Sequence, residues 1–158
     1  ADLPLPEDTK ADSRPPTFPL PATLEPYFTP SETGELAYHS AATEHRTARG
    51  AWDAPGPITA WIRLRQPLLE GEELSPLQRV AAAADYGNGI SWVLPFDRWT
   101  FINPDLTIHL YRLPIGEWIC LDAVTYPGST GVGLAESALY DPEGRIGRSL
   151  QSLLIDRR

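Results

Sequence analysis

The stretch Ser75-Pro76-Leu77-Gln78-Arg79-Val80-Ala81-Ala82-Ala83-Ala84-Asp85 is the one strongly helical segment in this chain of 158 residues. Ser75 can cap a helix by accepting a backbone N–H, and Pro76 fits the first helical position, where its missing N–H is not needed. Leu77, Val80, Ala81 and Ala84 recur at helical spacing and predict a buried stripe, with Gly87 or Gly89 as a natural stop. Four consecutive alanines, Ala81 to Ala84, leave little side-chain bulk, so a sheet can approach closely.

Around this helix the chain reads as strand. Upstream, residues 36–46 form a plausible first strand and residues 50–57 carry turn chemistry. Residues 58–65 then alternate, with Ile58, Ala60, Ile62 and Leu64 on one face and Thr59, Trp61, Arg63 and Arg65 on the other. Downstream, after a connector containing Trp and Pro, come four strand-like segments at 105–112, 117–125, 132–140 and 145–155. The turns between them carry Pro114-Ile115-Gly116, Pro127-Gly128 and Asp141-Pro142-Glu143-Gly144. Turns this short imply antiparallel neighbours. One helix among six strands predicts an α+β fold in which a curved antiparallel sheet wraps or covers the helix.

The first 30 residues contain Pro4, Pro6, Pro15, Pro16, Pro19, Pro21, Pro26 and Pro30. Such a segment sustains neither a helix nor an inner strand. It reads as an extended linker, residues 1–30, ahead of a folded domain at 31–158, with Phe18, Leu20, Tyr27 and Phe28 as docking points.

The net charge of −8 argues against nucleic acid or an anionic membrane as a partner, because both require a basic surface. Arg63, Arg65, Arg112, Arg145, Arg148, Arg157 and Arg158 still allow a local basic rim. Cys120 is the sole cysteine, so neither an intrachain disulfide nor a cysteine metal cage can form. His39, His45 and His109 do not stand at metal-ligand spacing, so no metal site and no cofactor are expected. No apolar run approaches the length of a membrane span, and the start lacks a basic and apolar signal pattern, so a cytoplasmic location is the expectation. There is no Gly-x-Ser-x-Gly elbow, and Cys120 has no evident activating partner, which disfavours acyl-enzyme chemistry.

Several segments together resemble the C-terminal half of type II acyl-CoA thioesterases, particularly the thioesterase-like proteins of actinobacteria. They are Phe101-Ile102-Asn103-Pro104-Asp105-Leu106-Thr107, Gly116-Glu117-Trp118, Leu121-Asp122-Ala123, Gly131-Val132-Gly133-Leu134-Ala135, Leu139-Tyr140-Asp141, Gly144-Arg145 and Gln151-Ser152-Leu153-Leu154. More loosely, the likeness reaches back over Trp61-Ile62-Arg63 and Ala84-Asp85. It implies a hot-dog fold, an antiparallel sheet wrapped around one central helix, and hydrolysis of an acyl-CoA thioester by an activated water. By this resemblance Asp105 would be the base, and Thr125 and Gln151 would orient the water, with Tyr126 as the alternative hydroxyl.

The resemblance covers one half of a family whose members usually carry two hot-dog units. It therefore implies a partner besides the acyl-CoA substrate: a second copy of the chain or a separate N-terminal-half chain. Hydratases and dehydratases share the fold and usually employ a His–Asp pair, for which His109 is the candidate. A non-catalytic acyl-binding or assembly module is the third reading.

Read from the residues alone, each candidate also has an ordinary explanation. Asp105 follows Pro104 at a strand start, where Asx turns are frequent. Thr125 is a good strand former. Asp85 and Asn88 flank a helix end, where local hydrogen bonds account for them. Asp85 is nevertheless the reserve acid.

Overall fold

The computed structural model describes residues 16–27 and 41–158. A single seven-stranded antiparallel sheet carries the fold. Its strands are β1 (Thr43–Arg49), β2 (Ile58–Leu64), β3 (Trp99–Ile102), β4 (Thr107–Leu110), β5 (Trp118–Pro127), β6 (Val132–Asp141) and β7 (Gly144–Arg157). The spatial order is β1-β2-β5-β6-β7, and both β3 and β4 pair with the far edge of β7. The helix α1 (Pro76–Ala84) and the short helix α2 (Gly87–Ile90) lie against the inner face.

The helix starts as its sequence dictates. Gln78 N donates to Ser75 Oγ at 3.2 Å and Ser75 N donates to Gln78 Oε1 at 2.7 Å, a reciprocal cap that satisfies two otherwise orphaned donors. The buried stripe is narrower than the spacing predicts. Val80, Ala83 and Ala84 are buried, whereas Leu77 and Ala81 are exposed. Helical periodicity identifies apolar rows without saying which one meets the sheet.

The end of the helix also differs from expectation. Asp85 closes α1, and Gly87 does not stop the chain but begins α2. A Cβ on Gly87 would lie 2.7 Å from Gln151 Oε1 and 3.1 Å from Ser137 Oγ. Glycine is thus required there for close approach to the sheet rather than for a left-handed turn.

The core lies between α1 and the centre of the sheet, where Ile58, Ala60, Ile62, Val80, Ala83, Ile119, Leu121 and Leu139 pack together. The alternation expected for 58–65 holds, yet every β2 residue except Arg63 is buried. The outer face of β2 is covered by the N-terminal segment. Phe18 packs edge-on against Trp61 and Tyr140. Trp61 Nε1 donates to Pro19 O at 2.9 Å, and Arg46 Nη1 donates to Pro21 O and Leu24 O. Proline-rich chain lacks donors but keeps its carbonyls, and these outer-face N–H groups reach them. Tyr27 continues the docking through a bridge to His45; Leu20 stays largely exposed. Phe28 and residues 36–40 of the first expected strand, 36–46, lie outside the described residues; β1 begins at Thr43 and runs on to Arg49.

The expected Trp- and Pro-containing connector contains β3, which the sequence reading missed. Its four residues, Trp99–Ile102, pair with the end of β7 from Leu154 to Arg157, while β4 pairs with Gly147 to Leu150. The two short strands run along one edge as a single interrupted strand. β7 is also irregular: its pairing with β6 shifts register between Leu139 and Tyr140, and at Gly147, which pairs with Leu110 of β4, a Cβ would collide with the His109 carbonyl. The turn before β7 is organised by Asp141, which is fully buried. It accepts from Arg112 Nη2 at 2.8 Å, Ile115 N at 2.8 Å, Glu143 N at 2.9 Å and Gly144 N at 3.0 Å.

Candidate active site

The inner face of the sheet is not uniformly apolar. Between the main core and a smaller cluster of Ala135, Leu153 and Ile155 lies a row of buried polar side chains: Thr125, Ser137, Ser149 and Gln151. Thr125 pairs with Ala135, and Ala135 with Gln151, so the three residues form one cross-strand row. With strands about 4.8 Å apart, Thr125 and Gln151 stand about 10 Å from one another on the same face.

Helix α2 supplies their partners. Gln151 Oε1 accepts from Asn88 N at 2.9 Å, and Gln151 Nε2 donates to the backbone carbonyl of Asp85 at 3.3 Å. This fixes which way the amide points and leaves one of its two hydrogens for another acceptor. Ser91 Oγ donates to Gly87 O at 2.8 Å and lies 2.7 Å from Thr125 Oγ1. With the single serine hydrogen committed to Gly87, Thr125 donates to Ser91 and keeps its own lone pairs as acceptors.

Asp105, the acid expected on the resemblance, is not brought to this row. Ile108 and Leu110 turn inward onto the core, whereas Thr107 and His109 are exposed, so alternation puts His109 on the outer face. Asp105 is itself exposed and accepts from Ser152 N at 2.9 Å. That N–H falls in the gap between β3 and β4, where β7 has no strand beside it. The carboxylate takes the place of the missing ladder carbonyl. The Ser152 backbone N–H, followed by its side chain, holds the Asp105 carboxyl below its ordinary value, which weakens it as a base.

Asp85 is the acid that the sequence reading holds in reserve. It closes α1, and its backbone carbonyl receives Gln151. Its exposed carboxylate accepts a long hydrogen bond from Asn103 Nδ2 at 3.3 Å. It also borders a cleft of about 890 Å³ lined by Tyr27, His45, Trp52, Tyr86, Trp92 and Phe96, by the aliphatic Leu68, Ile90 and Leu106, and by smaller residues. The alternative hydroxyl, Tyr126, faces outward, is half exposed and approaches Glu136 at 3.4 Å. Cys120 is buried, and burial raises its thiol well above the ordinary value. Among the described residues no cluster of His, Cys, Asp or Glu could hold a metal. Nor is any described helix long and apolar enough to cross a membrane.

Sequence reasoning missed Ser91 and the partnership of Asn88 with Gln151. A signal was present in part: Ser137, Ser149 and Gln151 interrupt the apolar alternation at inward positions. Ser91 gave none, because only the tertiary fold sets it against β5.

Comparison with known proteins places these features in context. Residues 6–155 match the family model of the acyl-CoA thioesterase C-terminal domain. Comparison with curated proteins gives no match. Among solved structures, a conserved protein of unknown function with a hot-dog fold from Alicyclobacillus acidocaldarius superposes with a TM-score of 0.67 at 13% identity, covering 94% of this chain and 56% of that one. The acyl-CoA thioesterase II TesB2 of Mycobacterium marinum gives 0.52 at 16% identity, covering 82% of this chain and 56% of that one. A thioesterase family protein from Silicibacter pomeroyi gives 0.52 at 15% identity, covering 72% and 85%. At these identities the likeness is one of fold, and the fold is the hot-dog. The chain spans little more than half the length of the first two structures.

Proposed function

The chain belongs to the acyl-CoA thioesterase C-terminal domain family, and on that premise we propose that it hydrolyses an acyl-CoA thioester with a water held between Asp85, Thr125 and Gln151. The observation that carries this reading is the bond from Gln151 Nε2 to the Asp85 carbonyl. It ties the buried amide to the helix end whose carboxylate borders the cleft.

In this reading Thr125 Oγ1 accepts one hydrogen of the water and the remaining Gln151 Nε2–H donates to the water oxygen. Asp85 removes the proton as the oxygen attacks the thioester carbonyl. A C–O bond forms, the C–S bond breaks, and the proton passes to the departing CoA thiolate. Asp105 then serves as the clasp of the sheet edge rather than as the base.

A second hot-dog unit, either another copy or a separate N-terminal-half chain, belongs to the same proposal. Leu77 and Ala81 are exposed on α1, and Phe96 and Ile102 are exposed beside the β3 edge. Among the described residues no strand pairs with the far side of β3 and β4. Apolar helix surface and an open edge of this kind are surfaces that a partner covers.

The test is thiol release from acyl-CoA thioesters by the full chain, alone and with any co-purifying chain, followed by sizing. Turnover that is lost in Asp85→Asn and retained in Asp105→Asn supports the assignment. Binding of acyl-CoA without turnover in every assembly would leave only an acyl-binding module.

A further inference from the structure

The cleft beside Asp85 has walls of a particular kind. Trp52 stacks on His45 with centroids 4.6 Å apart and planes at 10°, and on Tyr27 at 5.2 Å and 8°. Tyr86 meets His45 edge-on at 5.1 Å. Trp92 and Phe96 continue the aromatic lining at 5.4 Å.

Hydrogen bonds hold this lining in place. Trp52 Nε1 donates to Thr47 Oγ1 at 2.6 Å and Trp92 Nε1 donates to Trp52 O at 3.1 Å. The Thr43 hydroxyl joins His45 Nε2 at 2.8 Å and Tyr86 Oη at 3.0 Å. Rings fixed in this way present flat faces and edges at set angles. The six rings outnumber the larger aliphatic side chains of the lining, Leu68, Ile90 and Leu106, and the chain contains no methionine, the most adaptable apolar side chain. The floor offers room: a Cβ on Gly89 would meet nothing within 4 Å.

We propose that this cleft takes the acyl group of the substrate and selects a ring-bearing one, an arylacetyl or aroyl thioester, over a straight alkyl chain. The inference rests on the hydrolase reading, since it places the thioester beside Asp85. The selectivity arises from offset or edge-on contact between the substrate ring and the fixed aromatic walls, in addition to apolar burial that both acyl types share.

Phenylacetyl-CoA and octanoyl-CoA carry acyl groups of equal carbon count and so separate ring recognition from size. The expected kcat/KM of the full chain is about tenfold higher for phenylacetyl-CoA, in line with one or two aromatic contacts. Trp52→Leu should bring the ratio of the two substrates close to one. Equal or faster turnover of octanoyl-CoA by the unaltered protein would overturn the proposal.

A second measurement keeps the two ideas separate. The thioethers phenylethyl-CoA and octyl-CoA cannot be hydrolysed, and their affinities are read by titration calorimetry. Tighter binding of the aryl thioether supports the aromatic cleft even where no thioester is turned over, an outcome that removes only the hydrolase reading. Equal binding, tighter binding of the alkyl thioether, or binding of neither overturns the aromatic cleft itself.

Discussion

Thr125 and Gln151 lie on one face of the sheet, on either side of Ala135, and each is held by helix α2 rather than by the other. Their geometry therefore depends on how closely that helix approaches. Where strand and helix backbones are this close, a single methyl group decides whether two side chains can both be in place.

Gly87→Ala tests that dependence. The new Cβ would displace the Gln151 amide, since it would fall 2.7 Å from Oε1. Turnover should fall by about tenfold or more, because small misplacements of positioning groups are costly. Gly89→Ala, where the Cβ meets open space, should leave the melting temperature near that of the parent. Unchanged kinetics in Gly87→Ala would remove Gln151 from the site.

The two acids separate by substitution. Asp85→Asn should lower kcat by about 100-fold or more if it is the base, with little change in stability for an exposed side chain. Asp105→Asn retains an acceptor for Ser152 N and should keep turnover within about twofold. Asp105→Ala should lower the denaturant midpoint by unfastening the sheet edge. Measured kcat and denaturant midpoints for the three variants decide the matter, and loss of turnover in Asp105→Asn alone would restore Asp105 as the base.

Asp141 predicts an acid limb of stability. Burial pushes its carboxyl up, but hydrogen bonds from Arg112 and from the N–H groups of Ile115 and Glu143 outweigh this, so its pKa lies below the ordinary value. A folded pKa below the unfolded one contributes stability that is fully present above the unfolded carboxylate value, about 3.9, and is lost as pH falls through the folded value. Asp141→Ala should cost on the order of 3 kcal/mol at neutral pH, because it leaves Arg112 and three backbone donors without their acceptor. Its stability should also vary less with pH below about 4. Denaturant unfolding at neutral and acid pH measures both effects.

Cys120 should be silent in the folded protein. It is fully buried, and burial keeps the thiol protonated, so a thiol reagent should react with it only after unfolding. Reaction of the native protein at the rate of an exposed thiol would contradict the packing of Trp61, Phe18 and Cys120 on the outer face.

The legible parts of this protein are those set by local pattern. Ser75-Pro76 and Gln78 announce the helix start because capping is a matter of a few adjacent residues. The alternation at 58–64 announces β2, and the short turns announce antiparallel pairing. Strand β3 escaped notice because it is four residues long and contains no complete alternation. The stop at Gly87 was misread because glycine serves close approach as readily as a left-handed turn.

The sequence by itself determined the α+β class, the helix cap, the inward alternation of β2 and the presence of Thr125 and Gln151 in strands. Each of these follows from residues adjacent along the chain or two to four apart. Tertiary structure alone decided that Asp105 serves Ser152 at the sheet edge, while Asp85 meets Gln151 and the aromatic cleft. The physical reason is that an acid's surroundings are set by residues brought together through folding, here separated by 47 positions for Asp105 and Ser152 and by 66 for Asp85 and Gln151.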